Sequence, residues 1–349
     1  MRRLVLPLLL VLASTSLVAC GDDTAGEGED RVPTPPEAVG AEVLEGTGTF
    51  PATVTHQFGT TTVPEEPKRV VSVGYTEQDV LLQLGVIPIA VTEWYGEQPD
   101  ATWPWAHDLL GDAEPEVLDS SDGFPLEEII ALEPDLIIGT NAGMEERDYQ
   151  LLSAVAPTVT SVAGSTPYFS SWQDQTLQVA RALGREADGQ TLIDRVESDF
   201  AAVAEFHDWE GRTATFSQGG PYDGQLYVYP AGLSTDFLTM LGFEITTGLE
   251  KYAPNVGEQA LISGENVELL EADVVVWATE NADMFDELMD FAAVEDLPAV
   301  RERRSVYTDE VLAGAIYFIT PLSLEYVLEH LTPRLEKAVA GEGPTSFDS

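Results

Sequence analysis

Apolar residues along the chain follow two rhythms that take turns. From Val54 onward, short β-branched runs such as Val70-Val71-Ser72-Val73 and Ile87 to Thr92 are separated by stretches of helical spacing such as Asp79 to Leu84. Strands that alternate with helices predict α/β units with mostly parallel sheets, because a parallel connection needs a long crossover and that crossover is usually a helix. From about Gln173 to His207 there is a proline-free, Ala/Leu/Glu-rich stretch. Its apolar residues Leu177, Ala180, Leu183, Leu192, Val196, Phe200 and Val203 fall at helical spacing. Gly184 interrupts it, so the pattern predicts two helices, the second starting near Glu186. At about 1.5 Å per residue that second helix is long enough to run along two lobes.

On either side of this stretch the same plan occurs twice. Leu81-Leu82-Gln83-Leu84-Gly85 before an Ile/Val strand matches Leu238-Thr239-Met240-Leu241-Gly242 before Phe243-Glu244-Ile245. Leu126 to Thr140 matches Val267 to Thr279: each is a helix, an acidic break at Asp135 or Asp273, an apolar strand and a closing Thr. The spacings between these landmarks differ, so the likeness is one of plan and not a true repeat. The fold class expected is α/β, two Rossmann-like lobes with mostly parallel sheets bridged by one long α-helix. The N-terminal lobe is placed at 53–185, the bridging helix at 186–207, the C-terminal lobe at 208–340 and a tail at 341–349. Two lobes imply a cleft, and parallel sheets bind ligands beyond the carboxyl ends of their strands.

The first residues have a different character. Arg2 and Arg3 precede the apolar run Leu4 to Leu12, followed by small residues up to Ala19, which is the layout of a signal peptide. The run is shorter than the roughly 20 apolar residues that span a bilayer. It ends Leu17-Val18-Ala19-Cys20-Gly21, which resembles the lipobox of bacterial lipoproteins and implies acylation of Cys20, the chain's one cysteine. Two or more acyl chains make a stable anchor where one is marginal. Residues 1–20 are therefore read as a lipoprotein signal peptide. Residues 21–52, rich in Gly, Asp, Glu, Pro and Thr without apolar periodicity, are read as a flexible acidic tether. The protein is expected to be exported and lipid-anchored to the outer face of the cytoplasmic membrane, on the periplasmic side if an outer membrane is present.

The 349 residues carry 16 Lys+Arg against 61 Asp+Glu, a net charge of −45. Nucleic acid and anionic lipid surfaces are excluded as partners, since both are recognised by clustered basic residues. With 44% hydrophobic residues the chain can nevertheless bury a core. One cysteine excludes an intrachain disulfide framework and thiolate zinc clusters. The acid-rich, lysine-poor composition (Lys68, Lys251 and Lys337 are the only lysines) resembles that of proteins working in high salt, where self-repulsion is screened, and a high-salt habitat is the hypothesis it suggests.

No catalytic constellation stands out. There is no nucleophile elbow, Gly-rich phosphate loop or HExxH pair. The four histidines, His56, His107, His207 and His330, are scattered singly, so no metal site is expected. Arg301, Arg303 and Arg304 form the only basic cluster and are read as a solvated helix end before the strand Ser305 to Thr308. The aromatics are more informative. Trp94, Tyr95, Trp103, Trp105, Tyr168, Trp172, Tyr222, Tyr227, Tyr229, Trp277, Tyr317 and Phe318 fall after predicted strands or in Pro/Gly-rich loops. There, rigid rings with polar tips suit a bulky organic ligand.

The segment His56 to Thr92 (HQFGTTTVPEEPKRVVSVGYTEQDVLLQLGVIPIAVT) resembles the opening of iron-siderophore substrate-binding lipoproteins of ABC importers. The likeness continues through Thr102-Trp103-Pro104-Trp105-Ala106, Ile129 to Ile138, Ala182-Leu183-Gly184-Arg185, Leu297-Pro298-Ala299-Val300 and Ala313 to Val339. It covers about Thr53 to Ala340. The resemblance implies two α/β lobes joined by one long helix, with a ferric siderophore held between them and handed to an ABC permease. It implies no catalysis, no resident cofactor (iron arrives inside the chelate) and a monomer. Docking in that family uses one glutamate per lobe, for which Glu77 and Glu244 are the counterparts expected here, since carboxylates pair bidentately with permease arginines. First-lobe ligand contacts would be Trp94, Tyr95, Trp103, Trp105, Asn141, Met144, Tyr168 and Trp172. Second-lobe contacts would be Tyr222, Tyr229, Trp277 and Tyr317. Hydroxamate pockets of the family mix aromatics with an arginine, and here the nearest candidate is Arg147. An anionic catecholate or citrate complex would need positive charge that this chain scarcely supplies, so the reading leans to a neutral or cationic ferric hydroxamate. A haem or cobalamin carrier on the same fold is the alternative within this class; an anchored enzyme or a sensor subunit is the alternative outside it.

Overall fold

The computed structural model describes residues 42–165, 168 and 170–347. The signal-like segment, Cys20 and residues 21–41 of the expected tether lie outside the described residues. From Glu42 the chain is already engaged with the lobe that follows. The Leu44 amide donates to the Gln83 carbonyl (2.8 Å), Arg185 donates to the Leu44 carbonyl (2.7 Å), and the Thr49 amide donates to the Gly184 carbonyl (3.0 Å). Leu44 and Phe50 pack on the core of this lobe. The expected tether boundary at 52 is thus corrected: residues 43–51 are laid down by apolar contacts and backbone hydrogen bonds, which the composition of the whole segment concealed.

Strands β1 (Ala52–His56) and β2 (Gly59–Val63) pair as an antiparallel hairpin. The first large sheet contains β3 (Val70–Ser72), β4 (Ala90–Thr92), β5 (Glu116–Leu118), β6 (Leu136–Gly139) and β7 (Thr158–Thr160). All its pairings are parallel and the order is β5-β4-β3-β6-β7. Crossovers carry α1 (Glu77–Gln83), α2 (Pro104–His107), α3 (Leu126–Ala131) and α4 (Glu146–Ser153). Strands β3, β4 and β6 are buried along their whole length, as parallel strands covered on both faces must be. The strand order reverses between β3 and β6, and the carboxyl ends of these strands open onto the crevice where α/β sheets bind ligands.

Helix α5 (Trp172–Ala182) is followed by Gly184 at φ +65, a conformation glycine adopts freely, and then by α6 (Glu186–Phe206). The 21 residues of α6 make about 30 Å of helix. It leads into the second sheet: β8 (Thr213–Gln218), β9 (Gln225–Tyr229), β10 (Glu244–Ile245), β11 (Ala260–Ser263), β12 (Val274–Ala278) and β13 (Ser305–Tyr307). The order is β11-β9-β8-β12-β13, with β10 also pairing on β8. Strands β10, β8, β12 and β13 are parallel; β9 and β11 are antiparallel additions at one edge. The short turn between β8 and β9 leaves no room for a helical crossover, so this edge is a hairpin where a strictly repeated plan would have a parallel unit. Helices α7 (Asp236–Met240), α8 (Ala282–Asp290), α9 (Pro298–Arg301), α10 (Glu310–Phe318) and α11 (Pro321–Val339) complete the fold.

Helix α11 belongs to the second lobe by sequence, yet it also packs against α1 and α2 of the first and along α6. One apolar core therefore runs through both lobes. It joins Leu82, Trp103 and Trp105 to Val196 and Phe200 of α6, to Phe216 and Val276 of the second sheet, and to Ile316 and Leu331 of α10 and α11.

Candidate functional site

The sequence sets aromatic residues just past the carboxyl ends of strands, and the structure gathers several of them around one cavity of about 860 Å³. That volume falls in the range of roughly 300–1,000 Å³ typical of small-molecule sites. The segment after β4 contributes Trp94 and Tyr95, and Tyr168 comes from the approach to α5. The opposite wall is built from Gln218 to Tyr222 after β8, from Tyr227 and Tyr229 of β9, from Glu280 after β12 and from Tyr317 and Ile319 at the end of α10.

The rings form a nearly continuous track. Tyr168 stacks on Tyr75 at 5.9 Å between centroids, and Tyr75 stacks on Trp94 at 5.7 Å. Trp94 meets Tyr95 edge to face at 4.9 Å, and Tyr95 meets Tyr317 at 6.0 Å. Tyr317 lies 6.5 Å from Tyr229, which stacks on Phe216 at 4.6 Å. Such pairs hold one another's orientation and leave faces and hydroxyls for a ligand. Gly143 permits part of this track: its φ is +57, and a β-carbon there would run into the ring of Tyr168. The Tyr168 hydroxyl donates to the Ala142 carbonyl at 3.4 Å.

The electrostatics are one-sided. Among the described lining residues the ionisable groups besides tyrosine are Glu258, Glu280 and Glu287, with no lysine or arginine. Burial, and then the nearby carboxylate of Glu310, hold the Glu280 carboxyl above its usual range. The Tyr95 phenol is pushed well up by burial and by Glu280, Tyr229 and Glu310, and Tyr317 is raised by burial and the same neighbourhood. These phenols are hydrogen-bond donors at any physiological pH. The Tyr95 hydroxyl is buried and has no hydrogen-bond partner among the described residues.

Trp94, Tyr95, Tyr168, Tyr222, Tyr229 and Tyr317 of the expected contacts line the cavity. The others lie outside its lining. Trp103 and Trp105 stack on each other at 5.1 Å inside the core. The Trp105 indole N–H donates to Asp79 at 2.9 Å, so its polar tip is satisfied by protein. Trp172 is buried in the same core, at the first turn of α5. Trp277 alternates to the opposite face of the second sheet, fully buried there. Met144 is buried beneath the first sheet, and Asn141 binds the loop before α1 through Thr76. Arg147 is exposed on α4 and takes no part in the lining.

Glu77 is also placed differently from expectation. It is 2% exposed, and its carboxylate accepts hydrogen bonds from the backbone amides of Thr76 and Asn141 (3.1 and 2.6 Å) and from the Thr140 hydroxyl (3.2 Å). It ties the start of α1 to the loop after β6, and an arginine of another protein has no access to it. Glu244 is exposed on β10.

Sequence reasoning missed Tyr75, Gln218, Gln259 and Glu280. Glu280 follows the closing Thr279 of an apolar strand, and Tyr75 stands three residues past β3, so the rule that ligands sit beyond strand ends would have found both.

The model of the periplasmic binding protein family matches residues 70–312 of this chain. A probable siderophore-binding lipoprotein of Bacillus subtilis (strain 168), YfiY, is 31% identical over 242 residues, 66% of this chain and 70% of that one. The crystal structure of a periplasmic solute binding protein from Mycobacterium smegmatis superposes with a TM-score of 0.77 at 40% identity, covering 82% of this chain and 98% of that one. That of PiaA from Streptococcus pneumoniae in complex with ferrichrome gives a TM-score of 0.70 at 22% identity, covering 83% and 99%, a likeness of fold.

Proposed function

The chain belongs to the periplasmic binding protein family, and on that premise we propose that it is the extracytoplasmic substrate-binding component of an ABC importer for a ferric siderophore. The observation that carries the reading is the 860 Å³ cavity walled by aromatic rings and phenol hydroxyls. It is set between two lobes at the carboxyl ends of their strands. A siderophore-binding lipoprotein among its relatives supports the cargo and the anchor at Cys20. Iron enters only inside the chelate, the cavity binds without turning its ligand over, and the loaded protein meets a permease in the same membrane. Glu244, exposed on β10, is offered as a docking carboxylate.

The test is fluorescence titration of the purified protein with ferric hydroxamates, ferric catecholates, haem and cobalamin, since Trp94 lines the cavity. Saturable quenching by a ferric chelate but not by its iron-free form supports the reading. A response to haem or cobalamin alone would keep the fold and change the cargo. Chemical turnover of a bound chelate would replace a carrier with an enzyme.

A further inference from the structure

The charges on the cavity wall discriminate among iron chelates, provided the proposed function holds. Glu280 is half-buried on the wall, two residues past β12, and makes no ion pair or hydrogen bond with any described residue. Glu258 differs, since Asn255 donates to it at 2.8 Å. Tyr95 and Tyr317 of the same lining neighbour Glu280, and Glu310 approaches it from α10. An anionic chelate placed there would lose its hydration opposite a carboxylate, with no lysine or arginine among the described lining residues to offset the cost. A neutral chelate would leave the Glu280 carboxylate dehydrated and unpaired. A protonated amine meets both needs: it forms a charge-assisted hydrogen bond with the carboxylate and is attracted to the faces of aromatic rings such as those of the lining.

We propose that Glu280 is the counter-ion for an ammonium group on the ligand, so that the cavity selects amine-bearing, cationic ferric trihydroxamates over neutral and anionic chelates. The hydroxamate-wrapped iron would pack against Trp94 and Tyr168, and the amine arm would point toward Glu280 with the Tyr95 hydroxyl free to donate to a ligand oxygen.

The experiment compares ferrioxamine B, which ends in a primary amine, with its N-acetylated form, on wild-type protein and on Glu280→Gln, by tryptophan quenching. The amine form is expected to bind the wild type at least tenfold more tightly, and Glu280→Gln to reduce that preference to less than threefold. Equal affinity of the two forms for the wild type overturns the proposal, even if the variant fails to fold. So does a preference that survives Glu280→Gln, or comparable affinity for an anionic ferric tricatecholate. In these cases ferric chelates still bind and the importer reading stands. Silence toward every ferric chelate removes both.

Discussion

A carboxylate inside a protein must be satisfied where it lies, and Glu77 shows how this chain does it. Burial raises its proton affinity, and the Asn141 and Thr76 amides and the Thr140 hydroxyl act in the opposite direction. Removing the carboxylate leaves those donors orphaned, at a cost of about 1–3 kcal/mol each when nothing replaces them. Glu77→Ala is therefore expected to lower the thermal midpoint by several degrees, with Glu77→Gln intermediate; a scan that finds Glu77→Ala as stable as wild type would contradict this role. At Gly143, an alanine would have to hold φ near +57 and displace the Tyr168 ring. Its backbone cost is about 1 kcal/mol, and the loss of Tyr168 from the aromatic track is expected to weaken ligand binding by tenfold or more in a quenching titration. At this scale the sequence was only partly legible. Aromatic residues after strands could be named, but Trp103, Trp172 and Trp277 went to the core, because residue type does not say which way a ring turns once the sheet is covered on both faces. A glutamate in a chain with 61 acidic residues likewise looks solvated until its burial is seen.

Among the elements, α1 and α11 are joined by a single buried carboxylate. Asp79 accepts from the Trp105 indole at 2.9 Å and from the hydroxyl of Thr320, the cap residue of α11, at 2.6 Å. Just before the cap, Ile319 holds φ +51, a left-handed conformation costly for a β-branched residue, so the turn into α11 is fixed against local preference. Burial pushes the Asp79 carboxyl up to about 6, the two hydrogen bonds offsetting only part of it. The folded state thus holds this proton more tightly than the unfolded chain. Its contribution makes the protein more stable as pH falls from about 6 toward 4, and less stable as pH rises through that window, levelling off above it. Glu325 on α11, raised to about 7 by burial against the pull of Arg195, acts in the same direction at slightly higher pH. Asp79→Asn keeps an oxygen to accept both bonds and removes the buried charge. It is expected to raise stability at pH 7 by about 1–3 kcal/mol and to flatten the dependence between pH 4 and 6 in denaturant titrations. Element order was well legible in the sequence because periodicity of 2 and of 3.6 reports directly on burial. The hairpin edge of the second sheet was not read, although the alternating burial of β9 and β11 and the short turn after β8 both mark antiparallel strands, because the plan repeated from the first lobe favoured a parallel unit there.

For the whole molecule, charge and core pull in different directions. A net charge of −45 on 349 residues makes the folded state self-repulsive at low ionic strength. Salt screens this over about 10 Å at 0.1 M and about 3 Å at 1 M. Thermal midpoints measured in molar potassium chloride are therefore expected to equal or exceed those in 0.1 M buffer, and a clear fall would contradict the high-salt reading of the composition. Against the repulsion stands the apolar core that crosses from the first lobe through α6 and α11 into the second. Its two ends come from segments far apart in the chain, Leu82 to Leu110 and Leu312 to Ala338. Each lobe has apolar clusters of its own, but the shared core is closed by neither alone: cutting the chain after the β7 sheet would strip Trp103 and Trp105 of their α11 and Phe318 neighbours. The molecule should consequently melt as one cooperative unit, with a single calorimetric peak whose van't Hoff and measured enthalpies agree, and either half produced alone should expose enough of that shared interior to aggregate before it could be assayed.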